Sequence, residues 1–310
     1  MNSVPARQPA VHVIYRYTAS GNSKARPAYF SKELALASFL LAVEAARADV
    51  NVTFVVDGDL PSDVRRLMQS CGALEYGEWK SNRASYGAQL RLARAVDAAL
   101  VWFAEDDYLY EGDALVALVA AVRAMPDVDW FALSGPTPLH RLELRHAQSA
   151  VTLPRSRRWP SADPARVGQR SWRRIDSTTS TFGGRPSAVR SAFWLLRMCP
   201  WSGAAWDRTT CLALQGATPY PWRYLLSDLL PASTPARHKT LRVAWRIATR
   251  LAVNVAAMTQ RRQQAVLVSP AVPLVAHLEL PLEERADVWL ARAAALAQQV
   301  RSSRSADLVR

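Results

Sequence analysis

Residues 101–108, VWFAEDDY, constrain the fold of this chain more than any other segment. Four apolar residues without the alternation of a half-exposed strand predict a strand that is buried on both faces. Three carboxylates at the end of such a strand repel one another and lose hydration, so they need a cationic partner. Mg²⁺ or Mn²⁺ prefers oxygen ligands and also holds phosphates. The segment predicts a metal–diphosphate site at Glu105, Asp106 and Asp107, with an acidic surface turn as the alternative.

Strand and helix patterns alternate over the first two thirds of the chain, which predicts an α/β fold with a mainly parallel sheet. Expected strands cover residues 11–17, 51–56, 74–79, 99–104, 130–134, 175–182 and 265–268. Expected helices cover residues 29–46, 61–71, 85–98, 113–124, 186–198, 207–214, 240–264 and 286–300. Prolines interrupt the pattern between residues 136 and 174, so an irregular loop or insertion is expected there. In such a sheet, ligands bind outside the carboxyl ends of the strands.

Composition narrows the class of protein. No apolar run among the 310 residues is long enough to span a bilayer, and the start of the sequence has no cleavable signal pattern. The three cysteines are scattered and odd in number, which predicts neither a disulfide framework nor a zinc site. These features favour a protein of the reducing cytoplasm.

The net charge of +13 comes almost entirely from arginine. Residues 141–174 hold nine arginines against two acids, with Trp159 and Trp172 among them. Arginine suits bidentate recognition of phosphate, and a basic surface attracts anionic lipid, nucleic acid or anionic substrates. No helix-turn-helix, zinc-finger or RNA-recognition signature accompanies the region, so nucleic-acid binding is the weaker interpretation.

Several short motifs follow one another in an informative order. They are VVDGD at 55–59, NRASYGA at 82–88, EDD at 105–107, STFGGR at 180–185, WD at 206–207 and PLVAH at 273–277. Together they resemble the GT-A fold of nucleotide-sugar glycosyltransferases, particularly the large inverting family two, over residues 11–277. Glu105 stands where that family usually has Asp, and Trp206 where it has Glu. The resemblance is therefore to a divergent branch.

The resemblance implies a single GT-A (Rossmann-like) domain over residues 1–310, in which helices flank the sheet. Its nucleotide-sugar-binding half would cover residues 10–135. An acceptor-side half with irregular loops would cover residues 136–280, and a C-terminal helix residues 281–310. The implied activity is metal-dependent, inverting transfer of a sugar from a nucleoside-diphosphate sugar to a saccharide or lipid-linked acceptor.

The same resemblance assigns donor-binding roles. Asp57 would accept a hydrogen bond from the base, and the alternative is a turn aspartate. Asn82 and Arg83 would lie over the nucleotide or its diphosphate, although Asn82 could equally cap the helix that follows. Glu105 and Asp106 would contact the ribose or bind through water. Arg185 would bind the diphosphate or an anionic acceptor, unless it merely follows the Gly-Gly turn.

The resemblance also assigns metal binding and general-base catalysis to three further residues. Asp107 would bind Mn²⁺ or Mg²⁺ directly. His277 would be a second ligand, with a structural histidine as the alternative. Asp207 would act as the general base that takes the proton of the acceptor hydroxyl, and it could also cap its helix. Asp176 and Asp228 are the reserve candidates for the base.

Two other function classes fit part of the sequence. Strand-end acids and metals also serve nucleotidyltransferases and phosphodiesterases, but the glycine-rich loop and lysine of common nucleotidyltransferases are not evident near residues 13–24. The basic region 141–174 could instead make the chain a non-catalytic module that binds anionic lipid or nucleic acid. In a milder version, the basic surface brings an enzyme to a lipid-linked acceptor at the inner face of the cell membrane.

Overall fold

The computed structural model describes residues 8–19, 25–135, 151–159, 164–203, 206–222, 225, 239–279 and 285–307. Within these residues the strands are β1 (Val11–Thr18), β2 (Val50–Asp57), β3 (Ala73–Gly77), β4 (Leu100–Glu105), β5 (Tyr108–Tyr110), β6 (Trp130–Ala132), β7 (Ala165–Val167), β8 (Arg170–Arg174), β9 (Phe182–Gly184), β10 (Leu267–Pro270) and β11 (Val275–His277). The helices are α1 (Lys32–Ala45), α2 (Ser62–Gln69), α3 (Asn82–Ala93), α4 (Ala114–Ala124), α5 (Pro186–Ser191), α6 (Phe193–Met198), α7 (Trp206–Leu214), α8 (Lys239–Arg261) and α9 (Ala286–Asp307).

Nine of the described strands form one sheet, in the order β3-β2-β1-β4-β9-β6-β10-β8-β7. β3, β2, β1 and β4 are parallel neighbours. Among the nine, only β9 and β8 run against the common direction. The predicted α/β class with a mainly parallel, Rossmann-like sheet is confirmed. The strand order reverses between β1 and β4, and a crevice for ligands forms at the carboxyl ends beside such a switch point.

The central strands are buried on both faces, as the run at 101–104 predicts. Trp102 packs into the core that α1 and α4 share with the sheet. Phe103 points to the opposite core, under α3 and α6. Every residue of β4 is buried, including Glu105. Successive side chains of a strand point to opposite faces, so two cores on one continuous apolar strand require helices on both sides of the sheet.

β9 can lie in the middle of the sheet because two of its residues are glycines. A Cβ on Gly183 would lie 2.7 Å from the ring of Trp102 and 2.8 Å from the carbonyl oxygen of Val101. A Cβ on Gly184 would overlap the ring of Trp130. Glycine therefore lets two buried indoles lie against the backbone of their neighbour. The sequence pattern places these glycines after a strand, but the structure places them within it.

Gly184→Ala is expected to destabilise the fold by about 1–3 kcal/mol, since the added methyl group forces the Trp130 ring off its position. Chemical denaturation followed by circular dichroism measures the change. Gly87→Ala in α3 is the matched control, because its nearest neighbour is the flexible guanidinium of Arg91 at 3.6 Å. That change should raise stability by about 0.5–1 kcal/mol through helix propensity. Equal effects of the two substitutions would contradict this account of β9.

A small second sheet forms directly after the acidic triplet. β5 pairs with β11 in antiparallel register, and this register sets Tyr108 opposite His277. The backbone N–H of Leu278 also donates to the carbonyl of Asp107 at 2.9 Å. This pairing brings the late PLVAH segment to the end of β4 across 170 residues of sequence.

Two predicted segments differ from the structure. The strand expected at 175–182 begins only at Phe182, and residues 177–181 form a buried non-strand segment of serines and threonines. Part of the region expected to be irregular, 136–174, forms the antiparallel hairpin β7–β8 around Gly168, whose positive φ of 58° suits a tight turn. Residues 136–150 and 160–163 lie outside the described part. None of the described helices combines the length and the apolar character that crossing a membrane requires.

Candidate active site

The carboxyl ends of the parallel strands enclose a cleft of about 740 Å³. Its walls come from the ends of β1 to β4, the loop after β2 and the start of α3. Strand register sets its composition, because Thr18 pairs with Asp57 and Arg16 with Glu105 on neighbouring strands. Sites for small molecules and cofactors usually occupy roughly 300–1,000 Å³, so the cleft has room for a nucleotide-sized ligand.

Each carboxylate of the acidic triplet has a separate basic partner. Glu105 pairs with Arg16 at 2.5 Å, Asp106 with Lys32 at 2.8 Å, and Asp107 with Arg26 at 2.8 Å. None of these acids is far from neutralising charge, which explains how three consecutive carboxylates tolerate burial. Each of the three acids is thus neutralised by a different basic side chain.

Glu105 is held on the core side of the cleft. It accepts from Arg16, and its other oxygen accepts from the hydroxyl of Ser180 at 3.0 Å. Arg16 also donates to Asn82 and to the hydroxyl of Ser85. Burial alone would lower the pKa of Arg16, but the adjacent Glu105 carboxylate outweighs it and the pKa is raised. This network ties β1, β4 and α3 together beneath the cleft.

Asp106 lies on the wall towards β1. Its Oδ2 accepts from the backbone N–H of Thr18 and from the Lys32 ammonium, each at 2.8 Å. Burial raises the pKa of Asp106, and the charge of Lys32 opposes that rise. Lys32 also donates to the carbonyl of Thr18 and therefore fixes the end of β1 against α1.

Asp107 and His277 come together at the junction of the two sheets. Nε2 of His277 lies 3.2 Å from Oδ2 of Asp107, and the imidazole stacks on the ring of Tyr108 with a centroid distance of 4.7 Å. Burial would raise the pKa of Asp107, but the hydrogen bonds and charges of His277 and Arg26 lower it. Asp107 is therefore held as a carboxylate. No hydrogen-bonding group among the described residues reaches its buried second oxygen, Oδ1.

These two side chains fit a divalent cation. A buried carboxylate oxygen that lacks a hydrogen bond within the described chain, next to an imidazole nitrogen, is a donor set that Mn²⁺ accepts. Among the described residues, no three or more His, Cys, Asp or Glu side chains are grouped so that they could hold a metal. An ion bound here would therefore take its remaining oxygens from a ligand or water, as Mg²⁺ at phosphate sites usually does.

Asp57 and Asn82 also line the cleft. Oδ1 of Asp57 accepts the backbone N–H of Trp79 at 2.9 Å, which fixes the carboxylate at the end of β2. Ser81 caps α3, because its hydroxyl accepts from the N–H of Ala84. Asn82 is thus not the cap that the sequence left open, and its side chain binds Arg16 instead.

Arg83 lies beside the cleft, on the outer surface of α3. Its guanidinium stacks over the ring of Trp201 at 4.5 Å, and its Nε donates to the carbonyl of Pro200 at 3.2 Å. Arg83 is therefore not among the residues that line the cleft. The reason is helix geometry, since consecutive residues of α3 project about 100° apart and Asn82 takes the cleft side.

Arg185 lies at the other end of the sheet. Because β9 is antiparallel to β4, the residue after it reaches the amino end of β4 rather than its carboxyl end. Its guanidinium donates to the carbonyls of Val122, Met125 and Val128, where it caps α4. Arg185 consequently does not belong to the cleft, contrary to the role that the sequence suggested.

Asp207, the expected general base, lies in the first turn of α7. Burial raises the pKa of Tyr108, and the negative charges of Asp107, Glu105 and Asp207 raise it further. Asp207 is thus within electrostatic reach of Tyr108, the residue that directly follows the acidic triplet. Of the reserve candidates, Asp176 pairs with Arg208 at 2.9 Å, and Asp228 lies outside the described residues.

The basic partners of the triplet were missed in the sequence. Arg16 could have been found, because one charged residue inside the apolar run of β1 needs a buried counterion. Lys32 is one of only four lysines in the chain, but its position in the first turn of a helix gives no hint of its partner. Arg26 follows a polar turn, and only the fold shows that it reaches Asp107.

Comparison with known proteins gives likeness in structure but not in sequence. No family model and no curated protein matches the chain. Residues 1–349 of Staphylococcus aureus TarS in complex with UDP match at 12% identity and a TM-score of 0.40, over 82% of this chain and 70% of that one. The mannosyltransferase PcManGT from Pyrobaculum calidifontis, in complex with GDP-Man and Mn²⁺, matches at 14% identity and 0.40, over 83% and 75%.

Proposed function

We propose that this chain is a metal-dependent, inverting glycosyltransferase that uses a nucleoside-diphosphate sugar. The observation that carries the proposal is the Asp107–His277 pair at the end of the central strand, of which Asp107 lines a cleft of nucleotide size. A carboxylate held ionised next to an imidazole suits Mn²⁺ or Mg²⁺. A diphosphate suits the cation, because these metals usually share their coordination with phosphate oxygens.

Six carboxylates line the cleft against the cationic side chains of Arg16, Lys32 and Lys80, so an anionic ligand fits it only together with a divalent cation. Lys32 and Lys80 line the cleft, and Arg26 reaches Asp107. These cations and a metal held by Asp107 would together neutralise the charge of a bound diphosphate. Asp57 accepts an N–H of the base, while its other oxygen stays fixed by Trp79.

A bound metal would neutralise charge on the departing nucleoside diphosphate. The chain supplies the rest of the chemistry. Asp207 takes the proton of the acceptor hydroxyl while that oxygen bonds to the anomeric carbon and the bond to the diphosphate breaks. Lys32 and Arg26 orient the diphosphate, and the Arg16–Glu105 pair keeps β1 and β4 in register beneath it. The acceptor is a saccharide or a lipid-linked saccharide, and the reaction takes place in the cytoplasm or at the inner face of the cell membrane.

Product analysis tests the proposal directly. The purified chain is incubated with a panel of UDP- and GDP-sugars, with Mn²⁺ and with EDTA. Release of free nucleoside diphosphate that requires the metal supports glycosyl transfer, and proton NMR of the product shows whether the anomeric configuration inverts. Pyrophosphate or a nucleoside monophosphate as the product would instead indicate a nucleotidyltransferase or a phosphodiesterase.

Asp57→Asn is expected to weaken binding of UDP or GDP by about tenfold, since it loses a hydrogen bond from the base to a charged acceptor. The amide oxygen can still accept from Trp79, so the local fold should persist. Thermal-shift titrations and calorimetry measure the dissociation constants. Asp59→Asn, two residues on in the same cleft, is the control and should bind normally. Equal affinity of both variants and the parent chain would remove Asp57 from the base site.

In the region 141–174, to which the alternative of a basic binding module refers, three described arginines have partners within the fold, whereas Arg155, Arg157, Arg166 and Arg173 are exposed. Arg158 pairs with Asp129, Arg170 pairs with Asp113, and Arg174 donates to Gln215 and to the carbonyl of Pro154. These arginines hold the chain's own elements together, so their charge is largely used within the fold.

A further inference from the structure

An exposed aromatic and basic surface lies next to the cleft. It consists of Trp194 and Arg197 on α6, Trp201 in the turn after it, Trp245 on α8, and Arg83 on α3, and is called the tryptophan–arginine surface below. The three indoles are 67%, 43% and 59% exposed. Large aromatic side chains contribute most when they are buried, so a group of exposed tryptophans marks a contact surface.

The sequence of α6 and its following turn directs these residues outwards. Leu195, Leu196 and Cys199 are buried on one side. Trp194, Arg197 and Trp201 recur at a spacing of three and four, which is the spacing of one helix face. The core is therefore complete without the indoles, and their exposure is not a failure of packing.

α8 extends the same surface. The ring of Trp245 meets that of Trp201 edge to face at a centroid distance of 6.3 Å. Further along α8, Val255 and Met258 are 62% and 59% exposed. Because each residue of a helix adds about 100°, Val255 and Met258 lie about 80° and 140° round α8 from Trp245, so only Trp245 of these three belongs to the tryptophan–arginine surface.

The charge of these elements has a single sign. No Asp or Glu occurs between residues 185 and 206, or between residues 229 and 278. Arg83 stacks over the Trp201 ring at 4.5 Å, and Arg197 over the Trp194 ring at 5.7 Å. The rings of Trp194 and Trp201 therefore each have a guanidinium beside them, and the segment 185–206 contains no acid that could compete for it.

We propose that the tryptophan–arginine surface docks on an anionic lipid bilayer. Indole rings prefer the headgroup level of a membrane, where one edge is apolar and the other hydrated. Arginines beside them attract acidic lipid headgroups. Nucleic acid fits less well, because it needs free ring faces for stacking, whereas guanidinium groups of this chain already cover faces of Trp194 and Trp201.

The tryptophan–arginine surface lies beside the cleft, so docking would also fix the position of the cleft at the bilayer. Arg83 belongs to this surface, and the preceding residue, Asn82, lines the cleft. Docking would therefore hold the mouth of the cleft close to the headgroups, where a lipid-linked acceptor presents its sugar. The inference itself does not depend on the proposed activity, because vesicle binding is measured without any sugar donor.

Vesicle co-sedimentation of the full chain tests the proposal. We expect binding to vesicles of phosphatidylcholine with 30% phosphatidylglycerol as the probe (about one acidic lipid in three), and at least about tenfold weaker binding to pure phosphatidylcholine. Arg197→Glu should weaken binding at least about tenfold, since it replaces attraction by repulsion. A Trp201→Ser/Trp245→Ser variant should lose affinity even at low salt. Arg47→Glu, the same charge change at the exposed end of α1 on the other side of the sheet, should bind like the parent.

Hydrogen exchange of the unaltered chain gives a second measurement that needs no variant. Anionic vesicles should protect residues 190–201 and 243–248. Protection confined to other segments, or equal vesicle binding by the Arg197→Glu and Arg47→Glu variants, would overturn the proposal. The proposal would also be overturned if the chain did not bind vesicles but bound single-stranded RNA tightly or dimerised through this surface.

Discussion

Replacing Asp107 with Asn is expected to lower turnover of the sugar donor by about a thousandfold, because a metal stabilises transition-state charge by several kcal/mol. Asn keeps the shape of the side chain but loses the carboxylate that His277 and Arg26 hold ionised. Steady-state kinetics with saturating Mn²⁺ measures turnover. Manganese binding, followed by electron paramagnetic resonance, should fall in parallel, which separates loss of the metal from loss of a purely structural contact.

Asp127→Asn is the matched control for this substitution. Asp127 is exposed in the turn after α4, so the variant makes the same chemical change away from the cleft and should retain full turnover. His277→Ala should weaken manganese binding less than Asp107→Asn, since it removes the imidazole donor and leaves the carboxylate. Full activity and unchanged manganese binding in Asp107→Asn would refute the metal assignment.

The second large effect concerns stability. Glu105→Gln is expected to cost about 3–5 kcal/mol of unfolding free energy, because Arg16 would keep its charge in a buried position without its counterion. Urea denaturation followed by circular dichroism measures this cost. For comparison, Glu44→Gln removes the exposed pair with Arg47 and should change stability by no more than about 1 kcal/mol.

The double variant Arg16→Met/Glu105→Leu distinguishes a costly orphaned charge from a lost contact. An apolar pair of similar volume removes both charges together, so it should recover most of the stability that Glu105→Gln loses. The hydroxyl of Ser180 and the amide of Asn82 lose partners in this variant, so recovery should remain incomplete. A double variant no more stable than Glu105→Gln would show that the ion pair stabilises the fold in its own right.

Local patterns predicted the sheet and the acidic triplet because their physical basis is local. A continuous apolar run indicates a strand covered on both faces, and β4 is such a strand. The basic partner of each acid in the triplet could not be predicted in the same way. Glu105, Asp106 and Asp107 are adjacent in sequence, but each pairs with a cation from a different part of the chain.

Arg185 shows where a motif by itself misleads. Arg185 follows a Gly-Gly pair, which suggests a ligand-binding turn. Whether such a turn reaches the cleft depends on the direction of its strand, and that direction is a property of the whole sheet. β9 runs against β4, and this reversal moves Arg185 to the end of the sheet away from the cleft. No pattern within residues 180–185 carries that information, because a strand's periodicity is the same in either direction.

The sequence alone determined the α/β class, most helices and strands, and the position of the acids at a strand end. Those features follow from hydrophobic periodicity and turn chemistry, which act over a few residues. Only the tertiary structure decided that His277 meets Asp107, that Arg16 neutralises Glu105, and that exposed tryptophans from α6 and α8 form one surface. These contacts join residues far apart in the chain, and strand register and helix packing alone bring them together.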